Sequence, residues 1–176
     1  MKKLLIFILV ATFAGCSGQT LKKYKNEKPT LNLRSFFNGN VKALGIVQNR
    51  SGEVISRFKA DIKASWVGNV ATLDEDFVYA DDSTSKRIWK LTENSDGTYT
   101  GTAGDVVGKA NGEVAGNTFL YSYTLSVPVN GTNYDIAIED WMYLLDNKTL
   151  LGRSYMTKFG FDVGEVTLIM INEGIK

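Results

Sequence analysis

Val54, Phe58, Ala60, Ile62, Ala64 and Trp66 fall on one face of an extended chain, and Glu53, Arg57, Lys59, Asp61, Lys63 and Ser65 fall on the other. Strand side chains point alternately to opposite faces, so this pattern specifies a long strand with one dry and one wet face. The rhythm recurs in Phe119, Tyr121, Tyr123, Leu125, Val127 and Val129, and after Asn130-Gly131 in Tyr134, Ile136 and Ile138. Asn-Gly between two alternating runs is the strongest short hairpin signal. Similar runs span 42–48, 72–79, 86–92, 98–103, 106–114, 149–159 and 163–171, broken by turns such as Asn49-Arg50-Ser51-Gly52, Ser95-Asp96-Gly97 and Asp146-Asn147. No amphipathic helical pattern runs beyond two turns, although Leu31, Leu33, Phe36 and Phe37 before Asn38-Gly39 suggest a short helical plug.

A meander of about eight to ten such strands leaves two exposed edges unless it closes on itself. Glycines inside the runs, among them Gly45, Gly101, Gly112, Gly152 and Gly164, supply the bends that closure requires. The expectation is an all-β, antiparallel up-and-down barrel of the calycin or lipocalin-like kind, with a β-sandwich of the same strands as the alternative. The charges on the wet face of 53–65 argue against an integral membrane barrel, because a lysine or arginine facing lipid at the midplane costs about 2–4 kcal/mol.

The N-terminus reads as an address. Lys2 and Lys3 precede an apolar run from Leu4 to Phe13, and Ala14 and Gly15 supply small residues before Cys16, the single cysteine. The run is too short to span a bilayer and has the layout of a cleaved leader. Residues 1–15 are therefore expected to be a lipoprotein signal peptide, with a plain secretory signal as the alternative. Acylated Cys16 would then be the membrane anchor, since each buried CH₂ contributes about 0.8 kcal/mol. Ser17, where an aspartate would favour retention in the inner membrane, points to the outer membrane with the body facing the periplasm. Residues 16–30, with Lys22, Lys23, Lys25 and Lys28, read as a flexible tether whose lysines either touch lipid head groups or remain solvated, and residues 31–176 as the barrel domain.

From Leu31 onward the chain carries 14 basic and 18 acidic side chains. A body of net negative charge has no electrostatic footprint for nucleic acid. Histidine is absent and cysteine occurs once, so the side chains most used for zinc or copper sites and for proton transfer near neutrality are missing. No metal, no cofactor and no enzymatic activity are expected, a hydrolase being the least favoured reading.

Two acids break the alternation. Glu75 is in phase with Leu73, Phe77 and Tyr79, and Asp140 with Ile136, Ile138 and Met142. An inward acid costs several kcal/mol unless it is paired or hydrated. Arg87, Arg153 and Glu165 also lie on or near apolar faces. The functional expectation is a ligand site inside the barrel, with Glu75, Arg87, Asp140 and Arg153 as polar contacts and Phe77, Tyr123 and Trp141 as apolar walls. The structural alternatives are a bulge at Glu139-Asp140 that returns the acid to water, ion pairs that only knit the barrel, and aromatic residues that are simply core. Paired carboxylates also serve glycoside hydrolysis, but an acid pair on a strand does not specify that chemistry. A second class of function is an accessory module that binds another envelope protein through its rim.

Several segments together resemble the bacterial envelope lipoproteins of the domain of unknown function 3833 family. They include Leu31-Asn32-Leu33-Arg34-Ser35-Phe36-Phe37-Asn38-Gly39, Leu73-Asp74-Glu75-Asp76-Phe77-Val78-Tyr79, Arg87-Ile88-Trp89, Gly104-Asp105-Val106-Val107-Gly108, Asp140-Trp141-Met142-Tyr143-Leu144 and Met156-Thr157-Lys158-Phe159-Gly160. The resemblance implies a lipid-anchored envelope protein and brings no catalytic residues with it. Leu44 stands where members of that family often have Trp.

Overall fold

The computed structural model describes all residues except 1–18, 130 and 176. The leader and Cys16 therefore lie outside the described residues. Ten strands follow one another: β1 (Gly39–Asn49), β2 (Val54–Val67), β3 (Val70–Tyr79), β4 (Thr84–Glu93), β5 (Tyr99–Thr102), β6 (Val106–Ala115), β7 (Thr118–Val129), β8 (Thr132–Leu144), β9 (Thr149–Lys158) and β10 (Phe161–Asn172). Each pairs with its neighbours in sequence, and β1 also pairs antiparallel with β10, from Val41 opposite Asn172 to Asn49 opposite Gly164. This closes an up-and-down barrel rather than a sandwich, and closure removes both sheet edges.

The alternation sorts as expected. Ala60, Ile62 and Ala64 are buried while Lys59, Asp61, Lys63 and Ser65 are exposed. Interior positions at one end are large and apolar, and the plug closes that end. Asn32 caps the single turn α1 (Leu33–Phe36), its side chain accepting from the Ser35 N–H at 2.9 Å. Leu31, Leu33, Phe36 and Phe37 are all buried. Polar contacts hold the plug: Asn172 Nδ2 donates to the carbonyls of Phe36 at 2.6 Å and Asn38 at 3.1 Å, and Trp66 Nε1 donates to the Phe37 carbonyl at 2.9 Å.

Glycines inside the wall make room for rings. A Cβ on Gly112 would lie 2.5 Å from the Phe119 ring and 2.8 Å from that of Tyr121. The glycine therefore lets both aromatic rings lie flat across the strand.

The segment expected to be a free tether is described from Gln19 and lies against the barrel. It forms the 3₁₀ turn η1 (Leu21–Tyr24), and the Tyr24 ring packs 6.1 Å from Trp141 and 5.5 Å from Tyr143. The Leu31 N–H donates to the Gly116 carbonyl at 2.8 Å. Gly116 has φ +55°, and a Cβ there would come within 1.9 Å of the Tyr24 carbonyl oxygen. The clamp is thus built into the β6–β7 turn, at the plugged end. Among the described residues, no helix is long and apolar enough to cross a membrane.

Candidate functional site

The end opposite the plug is open. Inside it lies a cavity of about 620 Å³, within the size range of small-molecule sites. Leu73, Trp89, Leu91, Phe119 and Met170 line its deeper part, and Val47, Phe58, Phe77, Tyr79, Val127, Met156 and Val166 line it toward the mouth. The rings pack on one another, Trp89 against Tyr121 at 5.3 Å and Tyr123 at 5.2 Å, and Phe58 against Phe77 at 5.7 Å. Such tilted and edge-on contacts stiffen the wall beyond simple area burial. The lower end of the barrel is core and the upper end is a cup.

Five of the residues expected at the site, Glu75, Phe77, Arg87, Tyr123 and Asp140, line this cavity. Glu75 on β3 sits directly opposite Arg87 on β4 in the register. Arg87 nevertheless turns to Asp105 in the β5–β6 turn, its Nε and Nη2 donating to Oδ2 at 3.0 and 2.7 Å. β5 is only four residues long and meets β6 over three paired positions. The wall is therefore low on this side of the mouth, and the Arg87–Asp105 pair sits at the notch. Asp105 was not legible as a site residue, because it lies in a turn and breaks no apolar phase.

Across the cup, the Tyr123 hydroxyl donates to Asp140 Oδ2 at 3.0 Å. The register through β7 and β8 is continuous past Asp140, so no bulge returns this acid to water. Burial pushes the Asp140 carboxyl up to about 6, against the hydroxyls of Ser154 and Tyr123 and the Arg87 charge, which pull the other way. Burial also pushes the Glu75 carboxyl up to about 7. Arg87 pulls it down, and Asp105, Asp140 and Asp74 add to the rise. For Arg87, burial works against the charge, and Asp105 and Glu75 outweigh it. Three acceptor-bearing atoms of the cluster are buried without a hydrogen-bond partner: Asp140 Oδ1, Asp105 Oδ1 and the Tyr121 hydroxyl. A fully knitted structural network would leave none of these open.

The other two expected residues, Trp141 and Arg153, do not face the cavity. Asp140 takes the inward position on β8, so its neighbour Trp141 must point out, where Tyr24 and Tyr143 cover it. Trp141 Nε1 donates to Glu139 Oε1 at 2.6 Å. Arg153 lies opposite Trp141 in the register, while Ser154 takes the inward position on β9. Its guanidinium pairs with Glu165 and lies over the Tyr155 ring at 5.5 Å. Among the described residues, no cluster of three or more acidic or cysteine side chains is arranged to hold a metal ion.

Residues 10–172 match the model of a family described as protein of unknown function (DUF3833). No curated protein matches the chain. Among solved structures, the chain is similar to the S-type phycobiliprotein lyase CPES of Guillardia theta, with a TM-score of 0.59 and 10% identity. The likeness covers 90% of this chain and the whole of the lyase. At that identity the fold is shared and nothing more follows.

Proposed function

Because the chain belongs to the DUF3833 family, which carries no assigned activity, we propose a function from the barrel itself: a non-enzymatic binder that holds a small hydrophobic or amphipathic molecule in its cup. One observation carries this reading. A barrel built only for stability fills its interior with side chains, whereas this one is filled at the plugged end and leaves about 620 Å³ at the other, apolar on the walls and polar at Glu75, Arg87 and Asp140. The similar fold of a phycobiliprotein lyase is compatible with a small ligand in that space. In this reading acylated Cys16 ties the protein to the bacterial cell envelope, at the outer membrane and facing the periplasm. Gln19 reaches the barrel beside Tyr143, at the plugged end, so residues 19–30 leave the mouth free.

Native mass spectrometry of the full-length protein and a Cys16→Ser variant tests both parts. The expected wild-type protein starts at Cys16 with acyl mass, and the variant lacks that mass. Both carry the same non-covalent small molecule. A wild-type protein without acyl mass removes the anchor, and bare polypeptide in both removes the ligand.

A second reading, an accessory protein docked on another envelope protein, is supported by the rim. The hairpins around the mouth expose Ile55, Phe161 and Phe159, the last 89% accessible. β10 joins these hairpins side by side, because Asn49 faces Gly164. Lys158 lies over the rings of Tyr134 and Phe159 at 4.5 and 5.0 Å, which gives the patch one cationic edge.

A further inference from the structure

Within the reading of the cup as a ligand site, on which this inference rests, we propose that the ligand presents a hydrogen-bond-donating, cationic head group, such as a protonated amine, to the Glu75 carboxylate. Its apolar tail would fill the aromatic mouth. A carboxylate-headed amphipath such as a fatty acid is disfavoured in the same geometry.

The cup holds unmatched acceptors. Among the described residues, three carboxylates, those of Glu75, Asp105 and Asp140, face the cavity with a single inward guanidinium, that of Arg87. That guanidinium is engaged twice by Asp105. Lys86 passes the rim, but its ammonium turns outward to Asp74 at 2.6 Å and Asp76 at 3.1 Å. Glu75 is only 9% exposed, and Arg87, the cation opposite it in the register, spends its Nε and Nη2 on Asp105 instead. A largely buried carboxylate is costly to keep charged unless something supplies donors to it. Behind it, Asp140 Oδ1 and Asp105 Oδ1 are acceptors without partners. The site has acceptor capacity left over and its one cation already occupied, which is the complement of an ammonium and not of a carboxylate.

The test uses three octyl amphipaths that differ only in the head: octylammonium, octanol and octanoate. Each displaces the neutral probe N-phenyl-1-naphthylamine from the full-length chain held in an amphipathic polymer at pH 8. The expected order is octylammonium tighter than octanol by about tenfold, the worth of one charge-assisted hydrogen bond, with octanoate weakest. Glu75→Gln should bring octylammonium to the level of octanol. Asp105→Ala, which releases Arg87, should raise the affinity for octanoate. Lowering the pH from 8 to 5 should weaken octylammonium, since Glu75 then protonates among Arg87 on β4, Asp105 in the β5–β6 turn, Tyr123 on β7 and Asp140 on β8. Octanoate equal to or tighter than octylammonium overturns the head-group inference and leaves the cup reading standing. Failure of the probe to bind at all overturns the cup reading and the inference with it.

Discussion

Replacing Asn172 by Leu should lower stability by about 3 kcal/mol and the melting temperature by roughly 10 °C. Asn172 is fully buried at the plugged end. It donates to the Phe36 and Asn38 carbonyls, and its Oδ1 accepts from the Gly174 N–H at 2.8 Å. Leucine fills nearly the same volume but leaves these groups without partners, and a buried polar group left unpaired costs about 1–3 kcal/mol. The plug carries Leu31, Leu33, Phe36 and Phe37, so loosening it also opens the floor of the cup. Asn172→Asp has the shape of the native residue and sets a carboxylate against two carbonyls. It should cost at least as much as leucine, which separates lost hydrogen bonding from altered packing. Thermal unfolding that leaves both variants within one degree of wild type would show that the plug is not held in this way.

The second large effect is on the pH dependence of stability. The Glu75 carboxyl has an ordinary value near 4.5 when the chain is unfolded and about 7 in the folded barrel. A group raised on folding contributes stability below its unfolded value and loses that contribution as pH rises through the folded one. The ligand-free protein should therefore lose up to about 3 kcal/mol between pH 4.5 and 8 on account of Glu75 alone. Glu75→Gln has nothing to ionise and should match wild type near pH 4.5 but exceed it by that amount at pH 8. Burial sets most of the shift, and the charges that modify it, Arg87, Asp105, Asp140 and Asp74, are present in both proteins, so the difference between the two pH profiles isolates Glu75. Parallel profiles would mean that Glu75 is hydrated or paired in solution. Asp140→Asn should show the same behaviour in a lower window, from about 3.8 to about 6.

The barrel was legible because burial on one face imposes period two. Phe58, Ala60, Ile62 and Ala64 leave no other way to sort one face from the other, and the Asn-Gly and Gly-containing turns mark the reversals. The plug was legible as an apolar cluster ahead of the first strand. Glu75 and Asp140 were legible because they break an otherwise apolar phase. Expecting Trp141 beside Asp140 inside the barrel set aside the same rule, since adjacent residues on one strand cannot both face inward without a bulge. Arg153 was misplaced for a subtler reason. The inward phase of β9 is carried by Leu150, Gly152, Ser154 and Met156, and a glycine and a serine mask it. The docking of residues 19–30 had a signal in Trp141 and Tyr143, two large aromatics in phase on a face otherwise wet, which implies a cover. Asp105 gave no such signal: its role depends on the shortness of β5, which brings the turn within reach of Arg87, and that is a property of the assembled wall.

Occupancy of the cup by a small molecule is open to a direct test. Titrating N-phenyl-1-naphthylamine into the wild-type full-length chain and into a Val127→Trp variant, whose indole would occupy the mouth where Val127 lines it, tests this most directly. Saturable fluorescence enhancement at one probe per chain is expected in the wild type, and its loss in a Val127→Trp protein that retains the wild-type circular dichroism. Equal enhancement in both proteins, or none in either, would contradict it.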